Sequence, residues 1–143
     1  MIIMSDCIFC KIAAGEVEAE VLFENDYAVA FLDANPLVDG HTVVIPKQHF
    51  GRFSDLTEET ATGLFAVVRE VNDAILSGLG ADGSNIGLND GEVAGQAIPH
   101  THVHIIPRYA GDGGGSLHSI VKRSAEVKLE EVAENLREKI YSN

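Results

Sequence analysis

The run His100-Thr101-His102-Val103-His104-Ile105-Ile106 places three imidazoles at alternate positions among β-branched residues. Successive strand side chains point to opposite faces of a sheet, so alternate positions share a face. Thr, Val and Ile favour strands, Pro99 stands before the run and Pro107 after it. The pattern predicts a strand over 100–106 with all three histidines lining one face. Two residues of strand rise separate neighbours by roughly 6–7 Å, a spacing that suits a phosphate group. Imidazole is the side chain best suited to proton transfer or nucleophilic attack near neutral pH. Two blander readings stand beside this one: an exposed histidine row, and a metal-ligand pair with a bystander.

A chain of 143 residues with 45% hydrophobic content suits one globular domain over 1–143 with a single core. Its opening, Met1-Ile2-Ile3-Met4, turns polar at Ser5 and Asp6, too early for the apolar region of a signal peptide. No later run is long enough to span a bilayer, so the expectation is a soluble, cytoplasmic protein without a membrane partner. Cys7 and Cys10 lie three positions apart, and a disulfide between them would close a tiny loop of little value to the fold. In a reducing compartment the pair points to a metal or redox role. The net charge of −12 argues against long nucleic acid, which is held mainly by Lys and Arg. A small nucleotide is compatible with it, provided that neutral donors hold the phosphate.

Along the chain, a short turn or helix carries Cys7 to Ala14, and strand-like runs follow at 21–24 and 27–32, joined at Asn25-Asp26. A third strand is expected over 41–45, ended by Pro46. From Thr57 to Leu79 apolar residues recur at helical spacing, with Thr57 or Asp55 as cap and Gly78 and Gly80 as stops. A strand near 85–89, a glycine-rich loop over 91–97 and the histidine strand complete a core over about 7–108. The extension 109–143 begins with four glycines within 109–115 and ends in an amphipathic helix near 126–141, marked by Leu129, Val132, Ala133, Leu136 and Ile140. The order predicts an α+β fold: an antiparallel sheet of about five strands, one long helix and a C-terminal helix.

Gly95-Gln96, the triplet His100, His102 and His104, and His41 within Gly40-His41-Thr42-Val43-Val44-Ile45-Pro46-Lys47 together resemble the histidine triad (HIT) superfamily, most closely its Hint-like and prokaryotic branch. The resemblance covers about Cys7 to Arg108 and implies the HIT-like fold. It also implies a nucleotide hydrolase or transferase acting at the α-phosphate of purine nucleotides. His102 is implied as the nucleophile that forms a nucleotidyl-histidine, held by the backbone carbonyl of His100. His104 and His41 are implied to contact the phosphate oxygens, and Gln96 and Asn89 to supply neutral amide donors. Ala97 departs from the pattern, since relatives carry Ser or Thr there, and one hydroxyl near the scissile bond is missing.

For the nucleoside, the resemblance assigns Asp33 to the ribose hydroxyls and Ile8, Phe9, Ile12 and Phe31 to the purine, with Val43 beside them. Asp33 also reads as a turn former, and the apolar residues also read as ordinary core. Cys7, Cys10, His49 and His100 are implied as four ligands of a structural zinc ion with no open position, while catalysis needs no cofactor. A reduced cysteine pair without metal is the competing reading. His118 matches nothing and reads as a surface residue. The resemblance also implies a homodimer joined edge to edge. Candidate substrates are nucleoside phosphoramidates, aminoacyl adenylates and dinucleoside polyphosphates. Other classes are a nucleotide-binding regulatory or interaction protein with incidental catalysis, and a metallohydrolase whose histidines chelate a catalytic ion.

Overall fold

The computed structural model describes residues 6–142, so the short apolar opening Met1–Met4 lies outside the described residues. Five strands form one antiparallel sheet: β1 (Val21–Glu24), β2 (Ala28–Leu32), β3 (Thr42–Pro46), β4 (Gly83–Gly87) and β5 (Val103–Arg108). Their order across the sheet is β1-β2-β3-β5-β4. Among the described residues three α-helices accompany them: α1 (Ile8–Ala13), α2 (Glu58–Leu79) and α3 (Leu129–Tyr141). The expected α+β architecture is present.

Asn25 makes the β1–β2 turn. Its Oδ1 accepts from the Tyr27 and Ala28 amides at 2.9 Å each, and its Nδ2 donates to the Gly63 carbonyl of α2 at 2.9 Å. Gly63 is what lets this hairpin approach α2, because a Cβ there would lie 2.6 Å from the Tyr27 side chain. Thr57 caps α2 by accepting from the Thr60 amide at 3.1 Å, and Gly80 ends it in the left-handed conformation at φ +68°.

Strand alternation divides the sheet into two chemically different faces. Ala28, Ala30, Val44, Val103 and Ile105 face α2, where they pack with Leu64, Val67, Val68, Val71 and Ile75. Those α2 positions recur at three- and four-residue intervals, the stripe that a helix buries on a sheet. Val29, Phe31, Val43 and Ile45 face the other way and pack with Phe9 of α1. His104 stands on this second face, directly opposite Val43 in the β3–β5 register. The candidate site is therefore built on the face that α2 leaves open.

Several boundaries differ from the sequence expectation. The histidine strand runs over Val103–Arg108 rather than 100–106, because the Thr101 amide donates to the Phe50 carbonyl at 2.7 Å and the β3 ladder begins only at Val103. Pro107 does not end it: β3 pairing stops at Ile105, and on a strand with one open side the missing proline donor costs little. β3 likewise starts one residue later than expected and includes Pro46. β4 lies two residues earlier, which leaves Asn89 in the loop beyond it. The C-terminal helix is present as α3, with Leu129, Leu136 and Ile140 all exposed.

Candidate active site

Three rings gather where β3 and β5 begin. His102 and His104 are 5.1 Å apart between ring centroids, and His104 is 5.2 Å from His41. This is tighter than the strand rise alone predicts, since the rings lean together. His100 does not join them. Its side chain, fully buried, turns toward Cys7 and Cys10, so the expectation of three histidines on one face holds only for His102 and His104.

Hydrogen bonds fix where each proton sits. His102 Nδ1 lies 2.7 Å from the His100 carbonyl, an acceptor only, so Nδ1 carries the hydrogen and Nε2 keeps its lone pair. That is the tautomer of a nucleophile. The Leu37 amide donates to His41 Nδ1 at 3.1 Å, which puts the His41 hydrogen on Nε2. His41 Nε2 lies 3.0 Å from His104 Nδ1 and donates to it, leaving the His104 hydrogen on Nε2. A backbone amide thus sets, through two rings, a donor at the end of the chain.

Burial pushes the His41 pKa down, against a smaller upward pull from Asp33. It pushes His104 down as well, helped by His102 and His41. Both shifts favour the neutral rings, and an anion bound beside them would pull the other way by favouring their charged forms.

Two hollows flank the cluster. One of about 710 Å³ is lined by Ile12, Phe31, Asp33, Ala34 and Pro36, among others. A second of about 370 Å³ is lined by His41, His104, Asn35, Leu37, Asn85 and Asn89, with Leu117 and Ile120 of the C-terminal extension closing it. Asp33 joins the two: its Oδ2 is 3.6 Å from His41 Nε2, while its Oδ1 accepts from the Asn35 amide at 2.8 Å. Phe9, Phe31 and Val43 are buried behind the first hollow, whereas Ile8 is exposed. Gln96 holds the loop instead: it donates to the Gly51 and Ile98 carbonyls at 2.7 and 3.1 Å and accepts from the Gly91 amide at 2.8 Å. His118 is exposed on a 3-10 turn, as expected.

Cys7, Cys10, His49 and His100 converge as the sequence predicts, with their ligand atoms within 4.8 Å of one another. His100 Nδ1 is 3.4 and 3.5 Å from the two sulfurs, and His49 Nδ1 is 3.3 Å from Cys10 Sγ. Tetrahedral zinc with bonds of about 2.3 Å to sulfur and 2.0 Å to nitrogen requires edges of about 3.5 Å. The His100 ring is prepared for such a bond, because its Nε2–H donates to the Pro46 carbonyl at 2.9 Å and the lone pair on Nδ1 faces the thiols. Four protein ligands would leave no position for water, so an ion held here would serve the structure and not bind a reacting water.

Asp33, His41 and His104 also lie within ligand distance of one another. They do not fit a cation. A metal on His41 Nε2 would move the proton to Nδ1, where it would face the Leu37 N–H donor. This donor-to-donor conflict disfavours the metallohydrolase alternative.

Burial lowers the His100 pKa to about 4, against the upward pull of the Pro46 carbonyl. The unfolded chain binds a proton below about pH 6.5 that the folded, metal-free chain refuses until about 4. Stability is thus full above 6.5 and declines across that window by about 3 kcal/mol at most, at roughly 1.4 kcal/mol per unit. Urea denaturation of chelator-treated protein between pH 7 and 4 measures it, and His100→Asn is expected to flatten the decline.

The fold and site define a class: a five-stranded antiparallel domain whose central strands present a histidine cluster on the face opposite its long helix. The pattern of the HIT domain matches residues 14–111, and the chain belongs to this family. An uncharacterized HIT-like protein of Methanocaldococcus jannaschii is 44% identical over 92% of this chain and 97% of its own length. Adenylylsulfatase HINT3 of Arabidopsis thaliana is 37% identical over 94% of this chain and 67% of its own. An asymmetrical bis(5'-nucleosyl)-tetraphosphatase of Schizosaccharomyces pombe is 43% identical over 73% of this chain and 56% of its own. Among solved structures, a HIT family protein of Bacillus anthracis superposes with a TM-score of 0.84 at 37% identity, covering 97% of this chain and 98% of that one. A zinc-bound histidine triad protein of Mycobacterium smegmatis superposes at 0.72 with 36% identity, covering 92% and 91%.

The side-chain pattern could not reveal the Leu37 amide or the Pro46 carbonyl, because both are backbone groups. Leu117 and Ile120 did leave a signal, as apolar residues in a Gly- and Ser-rich stretch.

Proposed function

We propose that this chain hydrolyses or transfers nucleotides by breaking a P–N or P–O bond at the α-phosphate of a purine nucleotide. The observation that carries this is the 2.7 Å bond from His102 Nδ1–H to the His100 carbonyl, which leaves Nε2 nucleophilic inside the ring cluster. Nε2 attacks the phosphorus, and the leaving group departs with the bonding electron pair and is protonated from water. His104 Nε2–H stabilises the charge that builds on the phosphate oxygens, and His41 holds the His104 ring in that tautomer through its Nδ1. Water then attacks the nucleotidyl-His102, which releases a nucleoside monophosphate, a proton and the original ring. The nucleotide-directed activities named for two relatives support this reading.

The larger hollow takes the nucleoside, with Asp33 on the ribose and Ile12 and Phe31 beside the purine, while Phe9 and Val43 back the wall and Ile8 stands at its rim. The smaller hollow takes the leaving group. No Lys or Arg appears among the side chains that line it. This favours phosphoramidates and aminoacyl adenylates over dinucleoside polyphosphates, whose anionic leaving groups call for cations. Asn89 remains a neutral donor there, and Gln96 acts by holding the loop that carries it.

The decisive experiment incubates the protein with adenosine phosphoramidate and diadenosine polyphosphates, quenches in the millisecond range and maps the adduct by mass spectrometry. Adenylyl on His102 is expected, with the phosphoramidate faster. An adduct elsewhere, or none, overturns the mechanism in favour of a nucleotide-binding regulatory protein. Asp33→Asn keeps the turn acceptor but weakens the ribose clamp, so KM should rise about tenfold with kcat changed less than about threefold.

Zinc on Cys7, Cys10, His49 and His100 belongs to this reading, supported by the zinc-bound relative. So does a homodimer: β1 and β4 are the open edges of the sheet, and the exposed apolar stripe of α3 adds surface for a second copy. Light scattering on the full chain tests it. No helix among the described residues is long and apolar enough to cross a membrane, and a cytoplasmic setting keeps the thiol pair reduced.

A further inference from the structure

We propose that His100 is a positioning residue that couples the Cys7–Cys10–His49 cluster to the nucleophile, so that the ion held by the cluster sets how fast His102 is nucleotidylated. The inference rests on the reading of His102 as nucleophile.

The two centres share one residue. The His100 ring faces both sulfurs through Nδ1 and the Pro46 carbonyl through Nε2, while its own carbonyl accepts from His102 Nδ1 at 2.7 Å. A ring engaged at both nitrogens cannot rotate, and the backbone around it is pinned as well. Pro99 fixes its own φ on one side, and on the other the Thr101 amide and hydroxyl both donate to the Phe50 carbonyl, at 2.7 and 2.9 Å. Little freedom remains for the carbonyl except what the ring's anchor allows.

That anchor is weak when it consists of thiols alone. Sulfur is a poor hydrogen-bond partner, and the three sulfur–nitrogen contacts that join the four ligand atoms are 3.3–3.5 Å long. An ion held there would convert these contacts into bonds. Through Cys7 and Cys10 it would also tie down α1, a helix of only six residues that brings Phe9 edge-on to His102 at 5.0 Å and to His100 at 5.8 Å. Both the acceptor for His102 Nδ1–H and the ring packed against His102 therefore depend on one cluster.

The consequence is specific. If the His100 carbonyl moves, the hydrogen of His102 is no longer confined to Nδ1, and molecules with the hydrogen on Nε2 cannot attack. The loss should appear in the chemical step rather than in nucleotide binding. Groups that orient a reactive centre from outside it change activity by 10- to 100-fold when removed.

The test compares full-length protein loaded with Zn²⁺, loaded with Cd²⁺, whose longer bonds to sulfur shift the cluster without emptying it, and stripped by chelator. Long-range ¹⁵N–¹H correlations read the His102 tautomer in each form. Single-turnover adenylylation by adenosine phosphoramidate reads the step, and equilibrium binding of AMP reads affinity. Expected are one Nδ1–H form with Zn²⁺, shifted His102 signals with Cd²⁺, and mixed tautomers without metal. The rate should fall about tenfold on stripping while AMP affinity stays within about threefold. Identical His102 signals in all three forms overturn the proposal, as does a rate that falls only in step with loss of the near-ultraviolet circular dichroism signal. If zinc-loaded protein never forms the adduct, the proposed function fails instead, and the tautomer comparison still decides the coupling.

Discussion

His102→Ala is expected to lower turnover of adenosine phosphoramidate by ~10⁴-fold or more and to abolish the covalent adduct, while AMP affinity stays within a few fold. The size follows from what remains. On the proposed mechanism His104, backed by His41, would still polarise the phosphate, but a water molecule must then attack phosphorus without a positioned lone pair, and loss of an activated nucleophile costs at least this much elsewhere. The fold should survive. His102 is 7% exposed at the edge of the cluster, and its lost contacts with Phe9 and His104 cost about 1–2 kcal/mol. Rapid-quench kinetics with thermal unfolding on the same sample separates the two effects. His102→Gly extends the test, because free imidazole entering the vacated space should restore part of the rate. A His102→Ala protein that turns over within tenfold of the parent would sink the covalent mechanism.

Leu64→Ala should be the most damaging single change to stability, costing about 2–5 kcal/mol and lowering the melting temperature by roughly 5–15 °C. Leu64 is fully buried on α2 and is among the largest side chains so enclosed. It packs in the cluster that includes Val44 of β3 and Val103 and Ile105 of β5, so the truncation opens a cavity behind the strands that carry the histidines. Those strands keep their hydrogen-bond ladder, and the site lies on the opposite face. At 20 °C the variant should therefore keep kcat within about threefold of the parent. A fall in kcat as large as the fall in stability would mean that α2 packing tunes the histidines directly, contrary to the two-faced sheet described above.

Much of this was legible in the order of residues. Alternation puts His102 and His104 on one face because the chain between them is extended with a period of two, whereas His100, further outside β5, departs from the pattern. The α2 stripe, its Thr57 cap and its Gly80 stop were readable for the same local reason. Cys7 and Cys10 pointed through their spacing to a metal or redox role, and the structure gathers them with His49 and His100. The strand boundaries were less legible: where a ladder begins depends on which backbone groups find partners, and Thr101 found Phe50, far away in sequence.

The sequence by itself determined the inventory and the local geometry: a histidine pair on one sheet face, a long amphipathic helix and a thiol pair. Only the tertiary structure decided which nitrogen of His41, His100 and His104 carries its proton, that the His100 ring leaves the face shared by His102 and His104, and that Gln96 holds a loop. Those outcomes turn on the Leu37 amide and the Pro46 and Gly51 carbonyls. Every residue carries such backbone groups, so their presence says nothing. Their positions carry the information, and long-range packing alone fixes these.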